Sequence, residues 1–140
     1  MEIGNIKFKA KRLDNGEWVK GDLVHSTSYV GISYPNDEFS DVPIVHRVDP
    51  STVCQFTGLK DCEGKEIWEG DILEHTQSHA RFTVMFDFGA FFIRRNGTEN
   101  TDLYLFELSE KDSCLQLFEV VGNKFDTGNS LESIYKSKKQ

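Results

Sequence analysis

Cysteine and histidine are the residues of this chain whose chemistry is easiest to name. Cys54, Cys62, His75 and His79 follow one another in the order of a zinc finger. The interval from His75 to His79 fits such a site, whereas the interval between the two cysteines is longer than usual. A finger also needs both histidines on one helical face, but residues 76–78 predict a loop between strands. We therefore predict neither a metal nor a cofactor.

A run of carboxylates lies in the same region, and paired carboxylates can ligate magnesium or act as acid and base. On alternating strands and turns, however, such residues more often solvate an exposed face. The triplet Asp87-Phe88-Gly89 matches the magnesium-binding motif of protein kinases, but the chain lacks their Gly-rich and catalytic loops. It also lacks a hydrolase elbow and a phosphate-binding loop, so we predict no enzyme. The carboxylates are Asp61, Glu63, Glu66, Glu69, Asp71 and Glu74.

Basic residues beside aromatic ones point to binding instead. Lysines alternate along the first predicted strand, and two arginines follow a pair of phenylalanines further on. Single-stranded nucleic acid uses such combinations, because bases stack on rings while cations follow the phosphates. The net charge of −7 opposes this interpretation, so nucleic-acid binding remains the alternative. The candidate binding residues are Lys7, Lys9, Lys11, Phe91, Arg94 and Arg95.

Aromatic residues are abundant for so small a chain. Trp18, Trp68, Tyr104 and several of the eleven phenylalanines exceed what a thin β core readily buries. Protein interfaces favour aromatic side chains and arginine. We therefore prefer self-association or docking on another protein, while most of the rings also fit the core.

Period-two alternation predicts the elements that position these residues. Ile6, Phe8 and Ala10 share one face of the first strand, and Asp14-Asn15-Gly16 predicts the turn after it. We expect an all-β, barrel-like or pseudo-barrel arrangement of short antiparallel strands with little or no helix. A helical turn is predicted near residues 130–135. The predicted strands are residues 6–13, 18–24, 29–33, 42–48, 53–57, 66–68, 72–75, 80–87, 91–95, 103–108 and 115–121.

Length and composition place the chain among soluble proteins. Its 140 residues can hold a core without disulfides. The three cysteines are an odd number, the N-terminus does not resemble a signal peptide, and no apolar run is long enough to span a membrane. We predict a cytoplasmic protein with reduced thiols and no membrane contact.

Four stretches stand out in the sequence, at residues 6–10, 52–61, 64–72 and 119–123. They resemble the YopX family, which comprises small proteins encoded by phages and prophages. The resemblance implies an all-β, barrel-like fold and association into oligomers, and it supplies no functional residues. We expect residues 1–50 to be an N-terminal β segment packed on the rest, 51–135 a YopX-like domain and 136–140 a flexible tail.

Glycines recur at equal intervals through the two central matching stretches. Gly58, Gly64 and Gly70 lie at predicted bends that need a positive φ. Thr57 and Asp71 lie beside these bends and can hydrogen-bond nearby backbone amides. We interpret Gly58, Gly64, Gly70 and Asp71 as structural turn residues.

These observations lead to one functional prediction. The chain is expected to be a phage or prophage accessory protein that binds a host or phage protein and itself rather than catalysing a reaction. The alternative is a single-stranded nucleic-acid-binding β-barrel module.

Overall fold

The computed structural model describes residues 2–36, 41–97, 102–109 and 114–126. The chain divides into two compact units, unit 1 (Met1–Phe56) and unit 2 (Thr57–Gln140). The predicted domain boundary after residue 50 stays a prediction. The predicted helical turn near residue 130 and the predicted tail at 136–140 lie outside the described residues.

Antiparallel strands dominate both units. Strands make up 53% of the structure and helical turns 12%, which confirms the prediction of an all-β fold. The strands are β1 (Phe8–Lys11), β2 (Trp18–His25), β3 (Val30–Tyr34), β4 (Ile44–Arg47), β5 (Cys54–Lys60), β6 (Glu66–Trp68), β7 (Asp71–His75), β8 (Arg81–Asp87), β9 (Ala90–Arg95), β10 (Leu103–Tyr104) and β11 (Phe118–Asn123).

Strand β2 changes partners halfway along its length. Residues 18–21 pair with β1, whereas residues 22–25 pair with β3. Gly21 lies at the change. A Cβ atom at Gly21 would come within 2.1 Å of the carbonyl oxygen of Ser33, so only glycine allows the two strands to approach so closely.

The sheet of unit 1 curls back on itself. Its strands lie in the order β4-β3-β2-β1, and the first residues of β5 continue the sheet beside β1. An isolated bridge joins Arg12 to Val48, and the Asp49 amide donates to the Lys11 carbonyl at 2.8 Å. The ends of β1 and β4 are thereby linked, which gives this unit its pseudo-barrel character. Ala10, Ile32 and Val48 form its buried core.

Unit 2 contains a five-stranded sheet in the order β10-β9-β8-β7-β11, and the end of β5 neighbours β6. Alternate residues of β7, β8 and β9 face one side, where Leu73, Val84 and Ile93 are fully buried. Leu105, Leu115 and other apolar residues complete this core. Because one face of the sheet packs inward, its register is fixed by the apolar pattern.

One predicted strand is partly wrong. Residues 103–108 were expected to be a single strand, but only Leu103–Tyr104 pair with β9, and Leu105–Leu108 form the short helix α1. The turn buries Leu105 and exposes the next residue, Phe106. No helix in the described ranges is long and apolar enough to cross a membrane.

Candidate interaction surface

The β8–β9 hairpin carries an aromatic residue at its turn. Phe88 and Gly89 connect the two strands, with φ of 53° and 77°. Positive φ at both central residues is the pattern of the tight hairpin turn that normally selects Asn-Gly or Gly-Gly. The Asp87 side chain accepts a hydrogen bond from the Phe88 amide at 2.8 Å, which helps to hold this turn.

Phe88 is unfavourable for the isolated chain in two respects. A bulky residue at positive φ is strained by about 1–3 kcal/mol, and its side chain is 92% exposed to solvent. Strand β8 ends at Asp87, so Phe88 lies in the turn and not on the strand. Strain in a residue whose side chain is exposed to this extent suggests a role outside the fold.

A pocket opens beside this turn. Its volume is about 250 Å³, and it is lined mainly by apolar side chains, while the remaining lining residues bear hydroxyl groups. None of the described residues that line it is charged. The apolar lining consists of Leu59, Ala90, Phe91, Leu105 and Phe106.

Further rings extend the apolar area around the pocket. Phe86 lies across the hairpin from Phe91, with ring centroids 4.8 Å apart. Phe106 lines the pocket, and its ring centroid lies 5.9 Å from that of Tyr104. The aromatic surface of unit 2 is here defined as Phe86, Phe88, Phe91, Tyr104 and Phe106. Of these five side chains only Phe91 is half-buried, and Phe106 is 68% exposed.

The predicted lysine stripe exists in unit 1, but aromatic rings contact it. The Lys9 ammonium lies 4.6 Å from the centre of the Trp18 ring, and Lys11 lies 5.4 Å from the same ring. Lys7 lies 4.7 Å from the ring centre of Phe56. Cation–π contacts of this kind stabilise the sheet surface, and they cover ring faces on which a base would stack.

The predicted arginine pair lies at the end of β9 in unit 2. The Arg94 guanidinium donates to both carboxylate oxygens of Asp102, at 2.8 and 3.0 Å. This hydrogen bonding lowers the pKa of Asp102 below its ordinary value of 3.8. The neighbouring aromatics are turned inward, since Phe92 is buried and Phe91 packs against the core.

The zinc-finger interpretation has no geometric support among the residues that the structure describes. They contain no group of three or more histidine, cysteine or acidic side chains that could hold a metal. His75 ends β7 rather than beginning a helix, and its Nδ1 accepts from the amides of Gln77 and Ser78 at 3.2 Å. All three cysteines lie in the described part, and none forms a disulfide. The Cys62 thiol has a raised pKa, because burial and the charge of Asp61 disfavour the thiolate.

Two of the clustered carboxylates are buried, and for them the prediction of an exposed face is wrong. Asp61 is 1% exposed. One of its oxygens accepts from the amides of Glu63 and Lys65, at 2.9 and 2.8 Å, and the other accepts from the amide of Val120 at 2.9 Å. A buried carboxylate that accepts three backbone hydrogen bonds is a structural group rather than a reactive one.

Asp71 has a similar role at the next bend. Its carboxylate accepts from the Trp68 amide at 2.8 Å and from the side-chain amide of Asn123 at 3.0 Å. Thr57 accepts from the Leu59 amide at 3.1 Å. Gly64 and Gly70 lie at bends, whereas Gly58, also predicted at a bend, lies inside β5. All three have φ of +82° to +85°, in the region that favours glycine.

The two buried aspartates link distant parts of the sequence. Asp61 and Asp71 lie in the stretch from residue 52 to 72, whereas Val120 and Asn123 lie on β11. These are the two most distinctive stretches of the resemblance noted in the sequence. Their polar residues hold the fold together. The sequence indicated that Asp71 serves a nearby backbone amide, as it does for Trp68. It did not indicate the bonds from the Val120 amide to Asp61 or from the Asn123 side chain to Asp71, because these partners lie far along the chain.

The fold and the site define an all-β protein of two units with an exposed aromatic surface on the second. A family model described as YopX protein matches residues 7–132. The chain therefore belongs to the YopX family. No curated protein matches it significantly.

Proposed function

We propose that this YopX-family protein acts by binding rather than catalysis, and that its aromatic surface joins it to a second copy of the chain. The observation that carries the proposal is Phe88, a strained residue whose ring is 92% exposed. Natural proteins keep such outliers where a function requires them.

The residues around Phe88 indicate which molecule binds the aromatic surface. Its exposed ring lies outside the pocket of its own chain, yet Ala90, two positions on, lines that pocket. A projecting ring and an apolar pocket thus lie side by side on one surface. Two copies related by a two-fold axis can each insert Phe88 into the pocket of the other, which is the self-complementary arrangement of a closed dimer.

The charge of the chain favours this particular surface for association. With 23 acidic and 16 basic residues, two copies repel each other at long range. Among the described residues that line the pocket there is no charge, so contact through them brings no like charges together. We therefore expect association to strengthen with salt, because added ions screen the repulsion.

The wider role that we propose is that of an accessory protein of a phage or prophage, acting in the cytoplasm on a host or phage protein. Membership of the YopX family supports this role. The dimer would supply two equivalent copies of any further binding surface.

Sedimentation velocity across a wide concentration series tests the self-association. We expect the unmodified protein to dimerise and Phe88→Asn to weaken the dimer about a hundredfold, since two rings lose burial worth about 1.5 kcal/mol each. Leu13→Asn is the matched control, because it removes an exposed apolar side chain from unit 1. A chain that stays monomeric throughout, or a Phe88→Asn variant that dimerises normally, would contradict the proposal.

A further inference from the structure

Unit 2 has a second concavity whose chemistry is opposite to that of the aromatic surface. Its volume is about 340 Å³, near the lower end of the range for small-molecule pockets. Three cations line it, namely Arg94, Arg95 and Lys124. Among the described lining residues there is no carboxylate, although the chain has 23 acidic residues against 16 basic ones.

Neutral side chains in this pocket also present donors. The Thr83 hydroxyl donates to the amide oxygen of Asn96 at 2.7 Å. Because the oxygen is used in this way, the NH₂ end of the Asn96 side chain is the end that can donate to a ligand. The backbone amide of Asn96 donates to the carbonyl oxygen of Arg81, which fixes Asn96 at the end of the hairpin.

Asp102 positions one of the cations without entering the pocket. It accepts two hydrogen bonds from Arg94 and is not among the lining residues. The two-point contact sets the plane of the guanidinium group. Lys124 is placed from another element, since its backbone amide donates to the Gly70 carbonyl at 2.8 Å.

We propose that this pocket binds the phosphate group of a small phosphorylated molecule. Guanidinium and ammonium groups that converge with an amide donor match the oxygens of a phosphate. The volume beyond the phosphate accommodates a small organic group. This inference does not depend on the dimer, because the pocket and the aromatic surface share no lining residue.

A small ligand fits this pocket better than a nucleic-acid strand. Single-strand binding needs exposed rings on which bases stack. Phe92 is buried, and Lys124 lies 5.0 Å from the ring centre of Phe125. The arginine pair that suggested nucleic acid in the sequence therefore belongs to a cationic pocket that lacks a stacking platform among its lining residues.

Amide NMR titration with inorganic phosphate, at ionic strength held constant with sodium chloride, tests the proposal. We expect saturable shifts at Asn96 and Gly97. Arg95→Gln and Lys124→Gln should each weaken phosphate binding about tenfold, because each removes a charge-assisted contact. Lys65→Gln, which removes the same charge from a residue outside the pocket, should leave the affinity unchanged.

Two results would overturn the inference. One is the absence of saturable shifts. An equal loss of phosphate affinity in Lys65→Gln would count in the same way, since it would attribute the binding to the overall charge of the protein. The other is tight binding of an oligothymidylate strand that Lys9→Gln weakens and Lys124→Gln does not, since this would place the anion site on unit 1. Repeating the titration with Phe88→Asn separates this test from that of self-association, because phosphate binding should persist in that variant.

Discussion

Two regions of unit 2 reverse the usual placement of side chains. Around Asp61 and Asp71, carboxylates are buried, whereas on the aromatic surface phenylalanine rings are exposed. The first reversal is balanced within the chain, since backbone and side-chain donors occupy the carboxylate oxygens. At Phe88 the second reversal is not balanced in this way, since the side chain is 92% exposed. A buried polar group with its partners present explains a fold, and an exposed strained ring indicates a partner.

The largest change in stability is expected from substitution of the buried carboxylate Asp61. Asp61→Ala leaves three backbone amides without their acceptor, so unit 2 should lose about 4 kcal/mol of unfolding free energy. Urea denaturation followed by Trp68 fluorescence, in a Trp18→Phe background, measures the loss. Asp61→Asn retains one amide oxygen and should lose less, and the exposed neighbour Glu63→Ala should change the stability by under about 0.5 kcal/mol. If Asp61→Ala were as stable as Glu63→Ala, the hydrogen bonds of Asp61 would not stabilise unit 2.

A smaller loss of unfolding free energy is expected at the hydrogen bond between Asn123 and Asp71. Asn123→Ala removes the hydrogen bond to Asp71 and the acceptor for the Phe125 amide. We expect a loss of about 2 kcal/mol, as for hydrogen bonds to charged groups. The same urea experiment measures it, and a double-mutant cycle with Asp71→Asn isolates the coupling between the two side chains. Strict additivity in that cycle would show that the two residues act separately.

Substitution on the aromatic surface should raise the unfolding free energy of the monomer instead of lowering it. Asn tolerates positive φ far better than Phe, so Phe88→Asn should stabilise the monomer by about 1 kcal/mol while it weakens the dimer about a hundredfold. Denaturation at a protein concentration low enough to keep both forms monomeric is the required measurement. Destabilisation of the monomer instead would mean that the ring contributes to the fold of its own chain.

The smallest effect concerns the exposed ion pair of Arg94 and Asp102. The pKa of Asp102 in the folded protein lies below its ordinary 3.8 because Arg94 donates to the carboxylate. The contribution to stability is therefore fully present above pH 3.8 and is lost as the pH falls through the lower folded value. Carbon NMR of the Asp102 carboxyl group gives this pKa directly. In Arg94→Gln it should return toward 3.8, and an unchanged value would contradict the assigned cause.

The sequence predicted the regular strands well because alternation is a local signal. Phe8 and Ala10 on one face of β1 and the bounds of β8 and β9 follow from it. Helix α1 was missed because a turn of four residues is too short to show a helical period. The exposure of Phe88 was not predicted because an apolar residue is not a turn signal, although the Asp before it and the Gly after it are turn residues.

The site was less predictable than the fold for a physical reason. Burial of Asp61 depends on the amide of Val120, which is 59 positions away, and no local pattern carries that information. Arg94 and Arg95 were predicted to be binding residues. Lys124 was not grouped with them because it follows β11, far along the chain from β9. Contacts between distant segments decide which charges share a pocket.

The bond from Asp61 to Val120 also sets an order of events during synthesis. The strand pairings among β1, β2, β3 and β4 need only residues made early, so they can form while the rest of the chain is still being translated. The Asp61 carboxylate must wait, solvated, until β11 has left the ribosome. Unit 2 is thus completed only after β11 has been made.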